Sequence, residues 1–166
     1  MKKLIFVVTL AIGFAFINAC GGGEPKEKPK GFDADAFNEE ADAGAKEKEK
    51  AAHESKGIGK FTNVEIAATL DAKMAQAGSG VYDLKCASCH KLTDEKLVGP
   101  GWKDVTTRRK AEWIMNFSTN TDEMITKDPA AQAMLEECLV RMPNQSLSDD
   151  DARAVYEFMR KNDGVK

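Results

Sequence analysis

The chain has 166 residues, enough for one ordinary domain and a further segment. Hydrophobic residues make up 42% and charged residues 31%, and 27 acidic against 24 basic side chains leave a net charge of −3. That balance has no cationic excess to attract nucleic acid, and the four cysteines, Cys20, Cys86, Cys89 and Cys138, offer no convincing disulfide pair.

The chain opens on Met1-Lys2-Lys3 and an apolar run from Leu4 to Ile17. A run of about 14 residues suits the core of an export signal and falls short of the ~20 that span a bilayer. It ends at Ile17-Asn18-Ala19-Cys20, which resembles a bacterial lipoprotein signal with a small residue before the cysteine. The resemblance implies a signal peptide over 1–19, lipidation of Cys20, and anchorage to a bacterial membrane facing the periplasm. Such a compartment tolerates disulfides. Ordinary secretion or an uncleaved anchor are the alternatives. Gly21 stands where some lipoproteins have a retaining Asp, which leans toward the outer membrane but does not decide between inner and outer.

Residues 20–60 are polar and charge-alternating, with Lys46-Glu47-Lys48-Glu49-Lys50 as the densest stretch. Such a segment buries too little apolar surface to offset its ordering entropy and reads as a linker, with a helical patch near Asp33 to His53. At roughly 40 residues its r.m.s. span is about 35 Å. His53 reads as a solvated linker side chain. The domain proper then occupies 61–166.

Within it, Ile66, Leu70, Met74, Ala77, Val81 and Leu84 fall at three- and four-residue steps and predict a helix from about Val64 to Lys85. Cys86-Ala87-Ser88-Cys89-His90 follows at once. This is C-x-x-C-H, the attachment pattern for c-type haem. Two thiols add to the two haem vinyl groups, and the spacing lets both reach one ring edge. The adjacent imidazole becomes the proximal iron ligand. A thioredoxin-type pair would need a βαβ pattern, and no strand alternation is present. A structural zinc site would need about four ligands, and Cys138 and His53 lack the spacing.

Further along, Lys110 to Phe117 reads as a short helix. Asp128-Pro129 reads as an N-cap with proline at the first helical position, opening a helix to about Leu139. Ser148 reads as the N-cap of the last helix, with Asp149, Asp150 and Asp151 suiting its dipole. The fold class is all-α.

From about Asp71 to Lys161 the sequence resembles the class I (monohaem) cytochrome c family. Gly78 and Tyr82 stand eight and four residues before Cys86, where that family has a glycine and an aromatic at the crossing of its first and last helices. Phe158-Met159, with Val155 a turn earlier, matches the partner helix. Gly99-Pro100 matches the family's Gly-Pro, whose proline carbonyl accepts from the proximal histidine. Met142-Pro143, about 50 residues after His90, matches the family's sixth ligand. The resemblance implies several helices around one covalent haem c, axial ligation by His90 and Met142, and electron transfer rather than enzymatic turnover. Met115, Met124, Met134 and Met159 read as core. About 76 residues follow the haem motif, unlike the four-helix-bundle cytochromes, where the motif is C-terminal.

Trp102, Trp113, Arg108 and Arg109 are candidates to meet the haem propionates; a solvated basic face and a core indole are the alternatives. Cys138 reads as a small buried hydrophobe, with a cysteine-linked dimer or an alternative iron ligand as rivals. Between Asp83 and Glu112 seven basic residues face five acidic ones, a bias that would steer an acidic redox partner. The expected function is a membrane-tethered, monomeric carrier of single electrons between respiratory complexes. The acceptor would be a terminal oxidase or a nitrous oxide reductase. The latter follows from a resemblance of Trp113-Ile114-Met115-Asn116 and Met142-Pro143-Asn144-Gln145 to small lipoprotein cytochromes. The alternatives are a haem enzyme or gas sensor with a labile sixth ligand, or a fixed subunit of a larger complex.

Overall fold

Side-chain caps mark the start of three of the helices. In the computed structural model, which describes residues 46–47 and 50–166, six helices follow one another. They are α1 Ala72–Lys85, α2 Val105–Arg108, α3 Ala111–Thr119, α4 Thr121–Lys127, α5 Pro129–Cys138 and α6 Asp149–Asn162. Residues 50–54 are also helical. Among the described residues the sole β pairing is one antiparallel bridge between His90 and Lys96, so the all-α expectation is met. The signal peptide, Cys20 and most of the linker lie outside the described residues. Among the described residues no helix is long and apolar enough to cross a membrane.

Two helix starts fall where the sequence puts them. Asp128 accepts the Ala131 N–H at 2.9 Å and Ser148 accepts the Asp151 N–H at 3.1 Å. The first helix is shorter than predicted. It begins at Ala72, capped by Asp71, whose carboxylate accepts the Met74 N–H at 2.9 Å. The residues before it are non-helical and bond to other elements. Asp71 N–H donates to Glu157 of α6 at 2.9 Å, and Leu70 N–H donates to the Lys166 carbonyl at 3.0 Å. Consequently the buried face of α1 is Ala75, Gly78 and Tyr82, while Ala77 and Leu84 of the expected stripe are exposed.

Helix α1 packs chiefly against α6. A Cβ on Gly78 would collide with the Ala154 carbonyl, so only glycine admits this crossing. Tyr82 lies there too, 5.3 Å from the Phe158 ring. Below the crossing, Glu157 is 1% exposed and accepts from Arg153 and Arg160, each at 2.6 Å. Arg160 also donates to the carbonyls of Ala67 and Ala68, which fastens residues 67–71 to α6.

Residues 53–61 also belong to the folded body, ahead of the boundary at 61 read from composition. His53 Nε2–H donates to the Thr107 carbonyl at 2.7 Å, and Ser55 Oγ donates to Asp128 Oδ2 at 3.0 Å. The buried Asn116 carboxamide donates to the carbonyls of Lys56 and Phe61 and accepts the Phe61 N–H. The Ile58 N–H points at Met124 Sδ, 2.9 Å away. Composition misses this because the anchoring bonds are made by backbone groups, which every residue type carries.

Candidate functional site

The C-x-x-C-H motif closes the end of α1. Cys86 N–H donates to the Tyr82 carbonyl, and the N–H groups of Cys89 and His90 both reach the Cys86 carbonyl, at 3.0 and 2.9 Å. This tight turn presents both thiols and the imidazole from one short segment. Two contacts hold His90 in place. The Tyr82 hydroxyl donates to its carbonyl at 2.8 Å, and its own Nδ1 lies 2.9 Å from the Pro100 carbonyl. A carbonyl can only accept, so Nδ1 carries the proton and Nε2 keeps its lone pair for a metal. Gly99 lies flat against the ring: a Cβ there would stand 2.8 Å from Nδ1. Burial holds the imidazole below its ordinary pKa against the opposing pull of Pro100, which favours the neutral, ligating form.

The motif opens on a cleft of about 300 Å³. Cys86, Cys89, His90, Gly99 and Pro100 line one side, and Val140, Met142 and Pro143 line it from the loop before α6. Helix α5 supplies a wall of Ala131, Met134, Leu135 and Cys138. Their i, i+3, i+4, i+7 spacing is one helical face. Phe117 and Ile125 complete the apolar lining. Burial pushes the Cys86 thiol up to about 11, so it is protonated at neutral pH. Among the described residues no cluster of three or more His, Cys, Asp or Glu is gathered to hold a bare metal ion. Two thiols on a turn, a neutral imidazole with Nε2 available, a thioether and an apolar wall are the donor set that a covalent haem requires. The site fits that group.

The structure brings Cys86, Cys89, His90, Pro100 and Met142 to one cleft and leaves Arg108, Arg109 and Trp113 outside its lining. Trp113 is 4% exposed and its indole N–H donates to Asp128 Oδ1 at 3.1 Å, so its donor is taken within the core. Arg109 lies over the Trp113 ring, 5.1 Å from the centroid. Arg108 donates to the carbonyls of Gly101 and Lys103 at 3.1 and 3.0 Å. All three side chains thus make contacts within the protein, outside the lining of this cleft. Trp102 is buried against Tyr82 and His90, with ring centroids 5.0 and 5.5 Å apart, and backs the imidazole. Cys138 is half-buried on the cleft wall instead of deep in the core. Met134 likewise faces the cleft, whereas Met115, Met124 and Met159 are core. The wall formed by α5 is absent from the sequence reading, although its helical stripe of Ala131, Met134, Leu135 and Cys138 carries the signal.

The chain matches the family model for cytochrome c over residues 75–163. It is similar to the solved cytochrome c from Rhodothermus marinus, at 34% identity and a TM-score of 0.61, over 63% of this chain and 90% of that one. An engineered cytochrome c from the same organism matches at 33% identity and a TM-score of 0.61, with the same coverage. The engineered protein bound to a carbene intermediate matches at 33% and 0.58. A search of curated proteins finds no match.

Proposed function

This chain belongs to the cytochrome c family and carries one covalent haem c, and from that premise we propose that it is a membrane-tethered carrier of single electrons between respiratory complexes. The observation that carries the reading is the convergence of Cys86, Cys89, His90 and Met142 on one cleft. In this reading Cys86 and Cys89 would hold the haem through thioethers, and His90 Nε2 and the Met142 thioether would serve as iron ligands. Haem supplies a one-electron iron couple, and a soft thioether ligand favours its reduced form. Two protein ligands on the iron would leave no open position for a substrate, which favours a carrier over an enzyme or gas sensor.

The chain's own residues serve electron exchange by position. Pro100 and Gly99 hold the imidazole, and the apolar wall excludes water from the couple. Around the cleft mouth Leu84 is 86% exposed, and Val98 and Val140 are exposed beside it. Lys85 and Arg141 line the same cleft. An apolar rim with cations nearby suits brief docking to an acidic redox protein. The tether rests on Lys2, Lys3, the apolar run to Ile17 and Cys20. Two or more acyl chains at Cys20 would hold the carrier durably at the periplasmic side of a bacterial membrane. We assign the acceptor to a terminal oxidase or nitrous oxide reductase and the carrier to a monomer.

Carbon monoxide added to the ferrous holoprotein tests the carrier reading. The expected result is an unchanged spectrum at neutral pH, together with a reversible one-electron redox titration. Rapid CO binding would overturn the reading in favour of an open haem.

A further inference from the structure

Asp128 is 2% exposed, and its carboxylate joins two segments distant in sequence to the first turn of its own helix. Oδ1 accepts the Trp113 indole N–H at 3.1 Å and the Ala131 N–H at 2.9 Å. Oδ2 accepts the Ser55 hydroxyl at 3.0 Å. Ala131, whose N–H it caps, is itself a cleft-lining residue and 1% exposed. The carboxylate is thus one backbone group from the cleft. Helix α5 continues from this anchor with Met134, Leu135 and Cys138 along the cleft and ends in a left-handed turn at Leu139, φ 58°. Three residues later comes Met142. A helix is stiff, so fixing its first turn fixes the direction in which its last turn delivers the chain. At the far end Lys96 Nζ donates to the Glu137 carbonyl at 2.9 Å, an exposed contact and weaker support.

We propose that Asp128 is a positioning residue for the sixth iron ligand: by clamping the N-terminus of α5 to Trp113 and Ser55 it sets where the Met142 loop stands across the cleft from His90. The proposal rests on the reading that Met142 binds iron. Asp128 touches neither haem nor iron and acts through α5 alone.

The test uses full-length, haem-loaded protein and reads the near-infrared charge-transfer band of Met-ligated ferric haem, with CO binding to the ferrous form as a second measure. Asp128→Ala removes all three bonds, and the expected result is loss of most of the band and the appearance of CO binding at neutral pH, where the wild type shows none. Asp128→Asn keeps an acceptor for Trp113 and Ala131 and offers an amide N–H to Ser55, so both readings return to those of the wild type. A residue that merely stabilised the fold would lower the unfolding midpoint and leave the band of the folded protein intact. That outcome overturns the proposal. Should Asp128→Ala fail to mature, Trp113→Phe, which removes one donor and keeps the ring, is expected to weaken the band in part; an unchanged band there also overturns it. Met142→Ala separates the two ideas, because a band that survives in that variant defeats the ligand assignment and the proposal with it.

Discussion

The Tyr82 hydroxyl and the Pro100 carbonyl hold opposite ends of one residue, His90: the first takes its backbone, the second its ring. Both bonds are made where water is scarce, so each loss leaves a buried polar atom unpaired. Tyr82→Phe keeps the ring contacts with Trp102 and Phe158 and removes the hydroxyl. The expected cost is about 1–2 kcal/mol in denaturant unfolding of the holoprotein, with the Met-to-iron band unchanged, since the side chain of His90 is untouched. At this scale the haem motif and Gly99-Pro100 are legible from spacing alone, because a covalent bond and a neighbouring carbonyl act over a few residues. The partner of Trp113 is not legible. Its indole reaches a carboxylate fifteen positions away, and only the folded chain decides which acceptor lies in front of it.

Helices α1 and α6 meet through a glycine and an ion-pair network. Gly78→Ala would push a methyl group into the Ala154 carbonyl, and an expected loss of about 3 kcal/mol would show as a lower unfolding midpoint with the haem still attached. Burial raises the Glu157 pKa, but bonds from Arg153, the Asp71 N–H and Arg160 outweigh it and hold the carboxyl below its ordinary value of 4.5. A carboxylate with a depressed folded pKa contributes stability that is full above its unfolded pKa and is lost as pH falls through the folded one. Unfolding free energy should therefore fall as acid is added below about pH 4.5, the ordinary value. In Glu157→Gln that acid limb should flatten, and stability at pH 7 should drop by about 3 kcal/mol because Arg160 stays buried without its partner. Equal acid limbs in the two proteins would refute the linkage. The caps at Asp128 and Ser148 are readable in sequence because a cap is a local bond. The start of α1 is not: the apolar residues between Val64 and Leu70 repeat as a helix would, yet they are irregular chain bonded to α6.

Residues 53–61 run over the domain and join Thr107, Asn116, Met124 and Asp128. Removing residues 1–49 should leave thermal unfolding of the haem-loaded domain unchanged, whereas removing 1–61 strips these bonds and should lower the midpoint by several degrees. Equal midpoints would show that the segment adds nothing. Nearer the N-terminus, Cys20→Ser is expected to move the haem protein from the membrane fraction to the soluble one, and retention in the membrane would refute lipid anchorage at that residue.

The haem motif, the Gly-Pro and Met-Pro pairs, the all-α class and two of the helix caps follow from sequence because each depends on neighbours within a few residues or on a periodic pattern. Tertiary structure alone decides that residues 53–60 join the domain, that α5 walls the cleft, and that the Trp113 indole donates to Asp128. Those outcomes depend on groups brought together from distant positions, and on backbone donors and acceptors common to every residue, which leave no mark in composition or spacing.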